Sequence, residues 1–191
     1  MFLDVNIHGC YFHYSQAIMR KAKSIGLTKK KRHRRLIKNI IAAALLPAEH
    51  IAETFTILEN NHTSSKYKDM FNYLRRTWLV EPFVPSTWSQ FGRATRTNND
   101  VEGWHNRFNH RAFNNTAPTF YRLIEELFKE SSVVELTFQL VSLERLTRRQ
   151  RKETATAQGK LFSLWAQYEQ GQLSTEAMLK QCQQLVVASF D

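Results

Sequence analysis

The sequence predicts a mainly helical protein with one short strand near its beginning. Apolar residues recur at the three-and-four spacing of helix faces through most of residues 15–189, whereas apolar and polar residues alternate convincingly only at residues 2–7. With 42% hydrophobic residues in 191, the composition is globular, and the chain is long enough to form one domain with a core. Because a single strand cannot satisfy its own backbone groups, we interpret residues 2–7 as the margin of a sheet whose other strands lie upstream.

The helices are predicted from apolar periodicity, with Gly, Pro and capping residues at their ends. They span residues 15–25, 36–46, 48–59, 66–79, 98–110, 120–151, 159–170 and 174–189. The 120–151 segment is long enough to be bent or broken. Residues 80–97 contain Pro82 and Pro85 and have no clear period, which predicts an ordered loop.

Charge and cysteine usage restrict the class of protein. The chain has 27 Lys and Arg against 17 Asp and Glu, a net charge of +10, which favours an anionic partner such as nucleic acid. Its two cysteines, Cys10 and Cys182, form no disulfide framework of the kind found in small secreted domains. The chain starts without a signal peptide, and no run approaches the roughly 18 apolar residues needed to cross a bilayer. We therefore expect a soluble intracellular protein with no membrane partner.

A basic run lies just before the second predicted helix. It could bind the DNA backbone or act as a nuclear localisation signal. The alternative is a solvated helix start without a binding role. The basic run consists of Lys29, Lys30, Lys31, Arg32, Arg34 and Arg35.

The densest polar chemistry lies in residues 96–109. Asn99 is a predicted N-cap and Glu102 falls three residues later, as in a capping box, so a helix is expected to begin here. One face of this helix is polar and the other is apolar. The polar face carries Glu102, His105, Asn106 and Asn109, and the apolar face carries Val101, Trp104 and Phe108. Glu102 either only caps the helix or is a metal-binding carboxylate.

Two segments carry a resemblance to a known family. Residues 96–105, Arg-Thr-Asn-Asn-Asp-Val-Glu-Gly-Trp-His, resemble the signature around the last acidic residue of Mutator-like element (MULE) transposases. Residues 9–16, Gly-Cys-Tyr-Phe-His-Tyr-Ser-Gln, resemble the Cys-x-x-His signature of the same family. The Leu-Leu-Pro sequence at residues 45–47 and the segment around Trp88 also fit, so the resemblance covers residues 7–130.

The resemblance implies a fold. The chain would be the helical C-terminal portion of an RNase H-like transposase core, with a remnant N-terminal strand. Residues 1–130 would form the partial transposase domain, with an all-helical insertion at residues 15–80 and a signature helix at residues 98–110. Residues 131–191 would form a helical C-terminal extension.

The resemblance also implies site residues. Such transposases hold two Mg²⁺ ions on two aspartates and a glutamate, and the ions activate the attacking oxygen and stabilise the leaving oxygen during DNA cleavage and strand transfer. Glu102 would be the last of these carboxylates. Cys10 and His13 would be the signature pair beside the active site.

Three further residues have expected supporting roles. Asn98 and Asn99 would position Glu102 at the helix start. From charge alone, and not from the resemblance, Arg96 and the basic run are expected to contact phosphates.

The first two catalytic aspartates of the family are missing, because the only acid ahead of Cys10 is Asp4, which stands too near. We therefore predict that the chain alone neither cuts nor joins DNA and binds no Mg²⁺. Cys10 and His13 could instead be half of a zinc site, although no second pair with suitable spacing occurs. A third interpretation is a buried cysteine and a hydrogen-bonded histidine at a strand-to-helix corner.

The expected function is thus that of a partial MULE-type transposase, a nuclear protein that acts on transposon ends and is inactive alone. A homo-oligomer is compatible with the sequence. The alternative is a non-catalytic, transposase-derived helical module that binds DNA or a protein. A third alternative is a helical protein with accidental motif matches.

Overall fold

The computed structural model describes residues 8–62, 64–93, 95–97, 99–113, 119–142 and 152–186, with the side chains of 99, 100, 113, 141 and 152–155 excepted. These residues form helices and connecting turns without a strand, which confirms the mainly helical class. The strand predicted at residues 2–7 lies outside the described residues. The helices are α1 (Tyr11–Ser24), α2 (Lys31–Ala43), α3 (Ala48–Asn60), α4 (Ser65–Trp78), α5 (Pro85–Trp88), α6 (Asn99–Phe113), α7 (Phe120–Ser142), α8 (Lys152–Glu169) and α9 (Thr175–Leu185).

The chain divides into two compact units. Unit 1 comprises Met1–Thr97 and Ala155–Asp191, and unit 2 comprises Asn98–Thr154. This division differs from the predicted one, because a boundary at residue 130 falls inside α7 and the last part of the chain belongs to unit 1.

The core of unit 1 is built from the inward faces of its helices. Tyr14, Trp78 and Trp88 form an aromatic cluster, in which the rings of Tyr14 and Trp88 stack 4.6 Å apart. Trp165 of α8 belongs to the same hydrophobic core, and its indole Nε1 donates to the carbonyl of Leu45 at 2.9 Å. The C-terminal helices are therefore part of this core.

Several helix boundaries differ from the predictions. Helix α1 begins at Tyr11 rather than at residue 15, and α2 spans Lys31–Ala43 rather than residues 36–46. The predicted loop contains the four-residue α5, which Pro85 opens because its fixed φ suits a first helical position. Helix α8 begins at Lys152 and passes through Gly159, which therefore does not mark a helix boundary.

Candidate nucleic-acid interface

The basic run is exposed at the start of α2. All six of its side chains are exposed, while His33, Leu36 and Ile37 between and beyond them are buried. The amphipathic pattern of α2 thus directs its apolar face inward and its cations outward. Among the described residues, no ion pair joins Lys29, Lys30, Lys31, Arg32 or Arg35 to an acid. Arg34 donates from Nε to the carbonyl of Thr28 at 2.7 Å.

The pKa of His33 reflects its burial and the positive charges around the start of α2. Burial lowers its pKa, and the positive charges of Arg32, Lys30 and Lys66 lower it further. The imidazole packs edge-on against Tyr67, with ring centroids 5.6 Å apart. The neutral form of His33 is therefore favoured, because a charged imidazole would be buried close to other positive charges.

A groove of about 730 Å³ lies beside the basic run, between α2, α3 and α9. Arg32 and Arg35 of the run line it together with Lys180 of α9. Glu53 and Glu176 also line it, so the cations exceed the acids by three to two. The remaining lining residues are Leu36, Asn39, Thr54, Ile57, Leu58, Asn61, His62, Ser174, Thr175, Leu179 and Gln183.

Packing of α9 on α2 creates this groove. The side chain of Gln183 donates from Nε2 to the carbonyl of Arg35 at 2.9 Å, and Leu36 and Leu179 are both buried. Sequence reasoning found the basic run but missed Lys180, which is far away in sequence and lies in no charged run. The α2 positions facing the groove recur at helical spacing, but that pattern does not reveal which helix lies opposite.

The Cys-x-x-His segment lies at the start of α1. Cys10 is half-buried at the N-cap position rather than buried, and His13 is exposed. Gly9 packs against Trp88: a Cβ at Gly9 would lie 2.9 Å from the Trp88 Cβ. The N–H of Gly9 donates to the carbonyl of Thr87 at 2.8 Å. This close approach explains the glycine that precedes Cys10.

The beginnings of the two signature segments are in contact. The N–H of Tyr11 donates to the carbonyl of Arg96 at 2.9 Å. Burial lowers the pKa of Arg96 and raises the pKa of Tyr11 to about 12, and the two groups interact electrostatically. Arg96 also lies near the buried thiol of Cys182, whose pKa burial raises to about 12. The half-buried Arg96 therefore sits among unit 1 side chains and differs from the exposed basic run.

Glu102 lies in unit 2, on the first turns of α6. Its side chain is half-buried, and the neighbouring polar face with His105, Asn106 and Asn109 is exposed. Helix α6 begins at Asn99, and the preceding Asn98, predicted to support the helix start, lies outside the described residues. Within the described ranges, no three His, Cys, Asp or Glu side chains come together as a metal site.

The apolar face of α6 is only partly buried. Phe108 is buried and stacks on Trp104 with centroids 5.3 Å apart, whereas Val101 at the start of the same face is 54% exposed. The buried acid of unit 2 is Glu130, which the motif search did not single out. Trp104 donates from Nε1 to Glu130 at 2.7 Å, and Arg111 forms an ion pair with the same carboxylate.

Comparisons with protein-family models, curated proteins and solved structures found no match to this chain. Among the described residues, no helix is both long and apolar enough to cross a membrane.

Proposed function

We propose that this chain is the helical C-terminal part of a MULE-type transposase catalytic region, and that by itself it binds DNA phosphates without cleaving DNA. The single observation that carries DNA binding is the exposure of all six side chains of the basic run at one helix start. Exposed Lys and Arg side chains bind phosphates by releasing condensed counterions from DNA. The transposase assignment rests on the two signature segments, whose beginnings meet at Tyr11 and Arg96.

The groove extends the proposed interface beyond the basic run. Arg32 and Arg35 belong to both, and Lys180 adds a cation from α9. The planar guanidinium groups can each make two parallel hydrogen bonds to a phosphate. A DNA strand that follows the basic run would place phosphates at the mouth of this groove.

Catalysis would need more than this chain. Glu102 would supply one carboxylate for Mg²⁺, whereas a two-metal site needs several oxygen ligands. We propose that Glu102 acts as a metal ligand only in an intact enzyme that brings the other carboxylates, and that Cys10 and His13 are the Cys-x-x-His pair of that enzyme. Nuclear localisation and action on transposon ends belong to the same proposal.

DNA affinity across a salt series tests the binding function. In a run variant, the six basic residues become Gln, and in a control variant six exposed cations elsewhere become Gln: Arg20, Lys23, Lys68, Arg76, Arg122 and Lys160. Both variants carry the same net charge, 10 − 6 = +4. We expect the run variant to lose most affinity and to flatten the dependence of log K on log salt by about 0.9 per phosphate contact removed.

Two results would contradict this function. Equal losses in both variants would show that total charge rather than the basic run governs binding, and absence of binding at low salt would exclude a DNA-binding module.

Catalysis is tested separately by nicking of supercoiled plasmid. We expect no Mg²⁺-dependent nicking by the chain, and nicking that disappears in Glu102→Ala would refute the proposed lack of cleavage.

A further inference from the structure

Helix α7 carries a continuous apolar face that is exposed. Among its described side chains, nine large apolar ones are between 46% and 83% exposed. Val133 and Leu136 lie on other sides of the helix, and seven share one side. Those seven are Phe120, Tyr121, Ile124, Leu127, Phe128, Val134 and Phe138. Exposed apolar surface of this extent on one element marks an interaction site in a folded protein.

The exposed residues follow the spacing of a coiled coil. Positions 120, 124, 127, 131, 134 and 138 are separated by four, three, four, three and four residues, and only Ser131 among them is not apolar. Apolar residues at a mean spacing of about 3.5 form the seam at which two helices interlock their side chains. Tyr121 and Phe128 border this seam on one side.

A neighbouring side of α7 is already occupied within unit 2. Glu130 is buried and bonded to Trp104 and Arg111 of α6. At about 100° per residue, Glu130 points about 100° away from Ser131 in the middle of the seam. The seam is therefore a second contact face that adjoins the one holding α6, since its Leu127 and Val134 lie three residues before and four residues after Glu130.

We propose that the seam of α7 pairs with the same seam of a second copy of this chain. A heptad seam is self-complementary, because side chains of one helix fit the spaces between those of an identical helix, and a two-fold axis satisfies both at once. The 23 residues of α7 provide about three heptads of contact.

The exposed area is sufficient for such a dimer. Each buried aromatic side chain removes roughly 150–250 Å² from water, and the seam with its border contains four aromatic and three aliphatic residues. Together they approach the roughly 800 Å² per partner of an ordinary specific interface. This pairing is independent of the proposed DNA binding.

Cross-linking at the middle of the seam tests the pairing. Ser131 lies two residues from the midpoint of Phe120 and Phe138, so its two copies lie within about one helical turn of each other in a parallel or an antiparallel pair. Ser131→Cys in a Cys10→Ser background should be joined by a short bismaleimide into a covalent dimer. Leu136→Cys in the same background is the control, because Leu136 is 56% exposed but lies off the seam.

Light scattering supplies the second readout. The unmodified chain should have twice the monomer mass, Phe138→Glu should halve that mass, and Leu136→Glu should leave it unchanged, with helix content by circular dichroism checked for each variant. A monomer mass for the unmodified chain at high concentration, or equal cross-linking of Ser131→Cys and Leu136→Cys, would overturn the proposal.

Discussion

Glu130 is the residue that joins the two helices of unit 2. Its side chain is only 6% exposed, and a buried carboxylate is costly unless it is paired and hydrogen-bonded. The partners come from one face of α6: the Trp104 indole at 2.7 Å, the Arg111 guanidinium, and Arg107 at 3.9 Å. The spacing of these three residues, three and then four, brings them to the same carboxylate.

We expect Glu130→Gln to destabilise unit 2 by about 1–3 kcal/mol, because the charged partner of Arg111 is lost and its hydrogen bonds weaken. The cost stays moderate because the side chains of Arg107 and Arg111 are 61% and 40% exposed and recover hydration. Hydrogen exchange of the α6 and α7 amides measures the change.

The matched control is Glu125→Gln on the same helix. Glu125 is 65% exposed and pairs with Lys129, and such exposed pairs contribute little to stability because water screens both charges. We expect its exchange rates to stay close to those of the unmodified chain. If Glu125→Gln accelerated exchange as much as Glu130→Gln does, burial of the Glu130 carboxylate would not explain its role.

At the scale of the elements, periodicity predicted most helices because their apolar residues face a core. The exposure of the basic run was also predictable, since so many adjacent cations cannot be buried together.

Gly159 led to a wrong prediction of where a helix begins, since α8 starts at Lys152 and passes through this residue. A glycine inside a helix costs only about 1 kcal/mol relative to alanine, and the burial of Leu161 and Trp165 in the same helix outweighs that cost.

Gly159→Ala should therefore stabilise the chain by about 0.5–1 kcal/mol. Gly159 is exposed, and a Cβ there would meet no atom within 4 Å, so the methyl group is accommodated while the unfolded chain loses freedom. Urea denaturation compares the variant with Gly171→Ala. Gly171 has φ +70, which disfavours any side chain, so that control should lose about 1 kcal/mol. Stabilisation by both substitutions would refute the assignment of Gly171 to a left-handed turn.

At the scale of the whole molecule, proximity in sequence was a poor guide to packing. The sequence predicted that residues 131–191 form one extension, because nothing in the pattern of α8 and α9 indicates which surface their apolar faces cover. In the structure, Leu161 of α8 and Cys182 of α9 share a core with Ile18 and Ile40 from the first half of the chain. The groove beside Arg35 was unpredictable for the same reason, since Lys180 reaches it only when α9 packs on α2.

Substitutions at two leucines within residues 131–191 distinguish the predicted C-terminal extension from the observed discontinuous core of unit 1. Leu161 is 1% exposed, so Leu161→Ala should cost about 2–5 kcal/mol and accelerate hydrogen exchange of the α2 and α3 amides with which it shares a core. Leu136 is 56% exposed on α7, and Leu136→Ala should leave those amides unchanged. If residues 131–191 were an independent extension, neither substitution would alter exchange in α2. Accelerated exchange in α2 with Leu161→Ala alone is the result that the discontinuous core of unit 1 requires.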